Sequence, residues 1–270
     1  MVKKFTQRRR HLHLQDVRNF TRCNPARRRT SRGTRCLPGA MYDGNTKTAI
    51  KGDHELIDGL NITDSSKAHL RSHYLRPRMP KEWKKKPDKW LTNFDIENVM
   101  GQYAEKFKWF NFKGIFPIDF SAPDPYSKSD QKVCLYPELC NINLKKDYTN
   151  GIRSIGLVFN LDPHFKGGSH WVALYIDIHK IKNPWCGYFD SYGYEPPELI
   201  ARLMRTLCIQ YPNIKLMYNA RRFQYSNTEC GMFSMYFIIC MIRKIRFKDF
   251  CKTQITDSLM LELRNTLFSK

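Results

Sequence analysis

The 270-residue sequence has no apolar run near the ~18 residues that a membrane-spanning helix needs, and its longest candidate, Met232–Ile242, suits a core helix instead. The N-terminus carries charge, but no apolar stretch follows it, so no secretory leader is expected. Nine cysteines are present without one Cys-x-x-Cys pair. Cys134 and Cys140 have no His or Cys at zinc spacing, so no metal site is expected. The odd cysteine count and the lack of an export signal favour mostly free thiols in a reducing compartment. No internal repeat occurs, which excludes a solenoid. Acidic residues are scarce: 25 Asp and Glu stand against 46 Lys and Arg, a net charge of +21.

The excess charge is unevenly placed. Residues 1–40 hold twelve Lys or Arg and one acid, Asp16, a net of +11. The clusters Arg8, Arg9, Arg10 and Arg27, Arg28, Arg29 come with little apolar periodicity, which predicts a loosely folded arm. Such an arm is either a solvated tail or localisation signal, or a binder of nucleic acid through phosphate neutralisation. No base-reading motif is present, so any such binding would be non-specific. His11 and His13 belong to this arm. Residues 41–89 read as an N-terminal extension. They have short helices at Ile50–Leu60 and Lys67–Leu75 and a basic, proline-punctuated linker at Arg76–Lys89.

From residue 90 to 270 the pattern is that of one α+β domain, a central mixed sheet flanked by helices. Trp90–Phe110 reads as a helix with its entry, its apolar face set by Ile96, Val99, Met100, Tyr103 and Phe107 and its cap by Thr92 or Asn93. Strands are expected at Ile115–Phe120, Arg153–Asn160, His170–Asp177, Trp185–Asp190 and Ile214–Tyr218. Helices are expected at Pro196–Tyr211, with Pro197 in the first turn, and at Thr256–Phe268. The Gly-containing stretch Asp162–Ser169 reads as a turn before His170.

The organising stretch is Gln224–Arg243, QYSNTECGMFSMYFIICMIR. It is almost wholly apolar from Met232, so it predicts a buried helix. Ser226, Asn227 and Thr228 supply N-cap types just before it. Cys230 then stands at the helix N-terminus, where unpaired N–H groups and the dipole favour a thiolate and can hold an oxyanion. Gly231 leaves room for a substrate backbone. A cysteine nucleophile needs a base and the base an orienting group. His170, opening one strand, and Asp190, closing the next, can meet Cys230 at one sheet edge, and Gln224 can donate an amide N–H to the same oxyanion. The rivals are His164, in the Gly-rich turn, and His179, past a strand end, for the base, and Asp177 for the orienter. Cys208 and Cys240 fall inside helices and read as small buried hydrophobes.

Trp90–Met100 (WLTNFDIENVM), His170–Trp171, Tyr188–Ser191 (YFDS) and Gln224–Phe233 (QYSNTECGMF) occur in that order. Over roughly residues 90–268 the chain resembles the SUMO-protease type of cysteine peptidase and its viral relatives, the adenovirus protease and the African swine fever virus polyprotein protease. The resemblance implies an adenain-like, papain-related fold with Cys230 as nucleophile, His170 as base, Asp190 as orienter and Gln224 as oxyanion donor. Trp171 and Trp90 are either core residues or, on the family pattern, walls of a narrow channel that favours cleavage after Gly-Gly or Gly-Ala. SUMO proteases usually have Asp where this chain has Asn93, a position that binds the modifier, so the resemblance leans to a viral maturation protease acting in the virion and at cytoplasmic assembly sites. The alternatives are removal of SUMO or ubiquitin-like modifiers in an intracellular or nuclear setting, and an inactive basic protein that binds nucleic acid or capsid. No cofactor is required on this resemblance, and stimulation by DNA or a peptide is left open.

Overall fold

The computed structural model describes residues 53–125, 127 and 133–269. The basic arm, with Arg8–Arg10 and Arg27–Arg29, lies outside the described residues. Two compact units are present. One joins the described residues up to Pro87 with the segment from Thr253 onward. The other is Asp88–Lys252 and carries Trp90, Asn93, His170, Trp171, Asp190, Gln224, Cys230 and Gly231, while the end of the expected 90–270 domain, Thr253 onward, falls in the first unit.

In the first unit, α1 (Asp53–Asp58) and α2 (Asp64–Tyr74) stand where the two short helices were expected, with bounds shifted by a few residues. Arg76–Lys89 is more than a linker: a 3-10 turn at Lys81–Lys84 buries Trp83. The indole meets Phe268 edge-on at 4.9 Å and lies beneath the Arg264 guanidinium at 4.4 Å. One aromatic anchor thus orders a segment whose average composition reads as solvated.

In the second unit, α3 (Asn93–Lys106) starts at a capping box. Thr92 accepts from the Asp95 N–H, and the Asp95 carboxylate accepts from the Thr92 N–H. A five-stranded mixed sheet follows in the order β1 (Phe110–Pro117), β2 (Ser154–Asn160), β3 (Trp171–Asp177), β4 (Trp185–Phe189) and β5 (Lys215–Tyr218). The β1–β2 and β4–β5 pairs are parallel and the middle pairs antiparallel. The first strand begins at Phe110 rather than Ile115. It is a half-buried edge strand with a register shift between Phe112 and Gly114, which breaks the alternation that marks a strand in sequence.

Side chains alternate across this sheet as its period of two requires. Leu157, Phe159, Val172, Leu174, Ile176, Cys186 and Tyr188 join one core with Ile200, Leu203, Met204 and Leu207 of a covering helix, Glu198–Gln210. That helix has Pro197 at its N-cap, not in its first turn. The opposite face takes the helix Cys230–Ile242, all of whose residues are buried. Phe237 on this helix stacks on Phe189 of β4 at 5.0 Å. With the short helices Pro137–Cys140 and Leu144–Thr149 between β1 and β2 counted as α4 and α5, these two are α6 and α7. Phe247–Lys252 is α8, and Asp257–Leu267, in the first unit, is α9.

Candidate active site

The start of α7 sets the position of Cys230. Glu229 is the N-cap and makes no side-chain capping bond, so none of Ser226, Asn227 and Thr228 takes the role their residue types suggest. Cys230 is the first helical residue, and its N–H has no intrahelical carbonyl to meet. Its side chain is 2% exposed. Gly231 lies in the helix with its α-carbon against protein rather than open space. A Cβ there would come within 2.9 Å of Leu91 Cδ1 and 3.1 Å of Trp171 Cδ1. The glycine therefore lets the Trp90–Leu91 segment and the start of β3 pack closely against the helix that Cys230 begins.

His170 precedes the first residue of β3. Its carbonyl accepts from Leu161 N–H at 2.9 Å. The Asn160 side-chain oxygen accepts from Asp162 N–H and Ser169 N–H, which ties both ends of the intervening turn. His170 Nε2 lies 2.7 Å from Asp190 Oδ1, which leaves Nδ1 as the ring nitrogen for Cys230, whose side chain acts on the protonation of the same imidazole. Burial pulls the His170 pKa down, but the hydrogen bonds to Asp190 and Cys230 and the charges on both outweigh it and raise the value to about 9.

Asp190 is itself held on several sides. Its carboxylate Oδ1 also accepts from Tyr192 N–H at 2.8 Å, and its backbone N–H and carbonyl both bond the Asn219 side chain. The turn closes with Gly193 N–H donating to the Asp190 carbonyl, and Gly193 has φ +80° with Arg221 backbone against it, a place for glycine. The Tyr192 ring stacks on His170 at 4.7 Å. Gln224 is fully buried. Its Oε1 accepts from Ser191 Oγ–H at 2.6 Å, and its Nε2 donates to the Ser226 carbonyl at 2.8 Å.

The structure thus brings Cys230, His170 and Asp190 together and links Gln224 to the residue after Asp190. The rivals stand elsewhere. His164 pairs with Asp119, while Asp177, at the far end of β3, pairs with His179 and Lys244. Cys186 and Cys240 are buried in apolar surroundings that push their thiols up, Cys240 to about 12. Trp171 is 9% exposed and donates its indole N–H to the Leu91 carbonyl at 3.1 Å, whereas Trp90 is 39% exposed and Asn93 lies exposed at the start of α3. Among the described residues no His, Cys, Asp and Glu group could hold a metal ion, and no helix is long and apolar enough to cross a membrane.

Comparison with known proteins sets this geometry in a family. The model of the Ulp1 protease family, C-terminal catalytic domain, matches residues 157–270. A cysteine protease of African swine fever virus is 30% identical over 186 residues, which cover 66% of this chain and 67% of that protein. The chain belongs to the Ulp1 protease family. A protein of Acanthamoeba polyphaga mimivirus named as a thiol protease is 32% identical over 189 residues, 68% of this chain, and the match spans 58% of that protein's length. In other African swine fever virus isolates the relative bears the name SUMO-1 cysteine protease. The crystal structure of the African swine fever virus pS273R protease superposes with a TM-score of 0.61 at 23% identity, over 80% of this chain and 77% of that one, and so shares the fold.

Within this Ulp1-family chain the matched region opens inside β2, so β1 and the Trp90–Met100 segment lie upstream of it. Sequence reasoning missed Ser191, Tyr192, Asn219 and Asn160. The first two stand beside Asp190 in the YFDSYG text, a signal that was on view. Asn219 and Asn160 are asparagines at strand ends, where turn chemistry is the ordinary explanation.

Proposed function

We propose that this chain is a cysteine endopeptidase with Cys230 as nucleophile, His170 as acid–base and Asp190 as orienter, and that it matures a viral polyprotein by cutting after small residues. One observation carries the reading: the part-buried His170 imidazole bonds Asp190 at 2.7 Å and interacts with Cys230. A His170 pKa of about 9 keeps the imidazole protonated at neutral pH, ready to act as the acid.

The thiolate attacks the scissile carbonyl. The resulting oxyanion sits between the Cys230 backbone N–H and the second N–H of the Gln224 amide. His170 passes its proton to the leaving amine, and the C–N bond breaks. Water then attacks the thioester, with His170 taking its proton and returning it to the sulfur. Exposed Trp90 and the Trp171–Leu91 pair suit a narrow approach that admits glycine and alanine. The arginine-rich arm would hold the enzyme on nucleic acid.

The test is cleavage of Gly-Gly-X and Gly-Ala-X peptides beside a SUMO conjugate, by wild type and Cys230→Ala, with and without DNA. Peptide cleavage that is lost in Cys230→Ala is the expected result. Cleavage of the conjugate alone would reassign the chain to modifier removal, which the family match and the name of the viral relative favour. No cleavage of either would sink the enzyme reading.

A further inference from the structure

Asp190 and Ser191 are adjacent, yet they serve different halves of the site. The Asp190 carboxylate bonds His170. The Ser191 hydroxyl, 1% exposed, donates to Gln224 Oε1 at 2.6 Å, and the Ser191 carbonyl accepts from Phe223 N–H at 2.8 Å and Gln224 N–H at 2.9 Å. One residue therefore grips Gln224 by backbone and by side chain.

A primary amide has two acceptor sites on oxygen and two N–H donors. The Ser226 carbonyl, which can only accept, takes one N–H of Gln224. The Ser191 hydroxyl takes the oxygen. With both ends assigned, the plane and the polarity of the amide are fixed, and so is the direction of the second N–H. A bond donated to the amide oxygen also draws electron density from the nitrogen, and linked hydrogen bonds strengthen one another by roughly 10–30% each. A flipped amide would set Oε1 against the Ser226 carbonyl, two acceptors facing each other in a buried place.

We propose that Ser191 is a positioning residue that fixes and polarises the Gln224 amide, so that the Asp190–Ser191 pair orders both the acid–base half and the oxyanion half of the reaction. The inference rests on the reading of Gln224 as an oxyanion donor. It concerns the transition state alone, since the ground-state carbonyl gains less from that donor than the oxyanion does.

The experiment uses the full chain and a Gly-Gly-X peptide. Ser191→Ala should lower kcat about tenfold, less than the ~10²–10³ expected when a donor itself is removed in Gln224→Ala, with KM little changed. In the Gln224→Ala background, Ser191→Ala should cost nothing further. Alkylation of Cys230 by iodoacetamide builds no oxyanion, so its rate should be the same in Ser191→Ala and wild type. Ser191→Thr keeps the hydroxyl and should recover part of the lost kcat, and it stands in if the alanine variant does not fold. An additive loss in the double variant, or an alkylation rate that falls with kcat, would overturn the proposal in favour of a merely structural serine. Wild-type kcat in Ser191→Ala would overturn it too. If Gln224→Ala itself keeps wild-type kcat, the oxyanion reading fails and takes the inference with it, while the Cys230–His170–Asp190 reading stands.

Discussion

At the scale of single residues, the balance on His170 makes two measurable claims. Burial works against the imidazolium, and the bonds to Asp190 and Cys230 overcome it, so the pKa rises from 6.5 to about 9. A group whose folded-state pKa is raised stabilises the fold fully below its ordinary pKa and loses that contribution as pH climbs through the raised one. The difference in melting temperature between wild type and His170→Ala should therefore be largest below pH 6.5 and shrink towards pH 9, and a constant difference would refute the assigned partners. Activity should fall on the alkaline side near pH 9, where the imidazolium is lost. In Asp190→Asn that limb should move to lower pH, because a carboxylate that raises the value is gone. The same contrast separates the thiols. Burial pushes Cys240 to about 12 and Cys251 to about 11, and Cys186 up as well. At pH 7 iodoacetamide should label Cys230 before these three, as mass mapping of the first adduct would show. Labelling of Cys251 first would count against Cys230 as the reactive thiol.

At the scale of elements, the site depends on how closely α7 approaches its neighbours. Leu91 and Trp171 fill the space where a Cβ on residue 231 would go, and the Trp171 indole is tied to the Leu91 carbonyl. Gly231→Ala gains helix propensity of about 1 kcal/mol but overpacks a filled contact, at a cost of about 1–3 kcal/mol. A lower denaturation midpoint and reduced kcat/KM are expected, and unchanged values would mean that the gap is looser than the geometry states. Much of this element layer was readable in the sequence. The strands β2, β3 and β4, whose faces are both buried, read as unbroken apolar runs. The uniform apolarity of α7 and the period of α6 left little choice. The first strand was misplaced because its bulge and half-buried edge erase the alternation. The helices α4, α5 and α8 are too short to show a period. The Cys134–Cys140 disulfide went unread because spacing alone does not specify pairing. Cys230, His170, Asp190 and Gln224 were legible as residue types beside element ends. Ser191 was on view beside Asp190, but its bond to Gln224 was not, nor was the role of Asn219, since both consist of bonds made between segments 33 and 29 residues apart.

At the scale of the whole molecule, two units and an uneven charge remain to be explained. The unit formed with Thr253 onward depends on Trp83, held by Phe268 and Arg264. Trp83→Ala should cost that unit about 3–5 kcal/mol, seen as an earlier loss of the Trp83-containing unit's protection in hydrogen exchange, and intact protection would deny the anchor its role. The charge bears on partners. More than half of the net +21 belongs to residues 1–40. If the arm neutralises phosphates, binding to duplex DNA should be insensitive to sequence and collapse with salt. A protein making 6–10 phosphate contacts loses roughly 10³–10⁵ in affinity between 50 and 200 mM salt. Fluorescence anisotropy on two unrelated duplexes should give equal affinities and a steep slope for the full chain, and a shallow slope for a chain starting at residue 41. Peptide cleavage without DNA should be equal in both, because Cys230, His170, Asp190 and Gln224 all lie in Asp88–Lys252. An equal slope for the two chains would move the phosphate contacts to the remaining basic surface and leave the arm without a part in locating substrate.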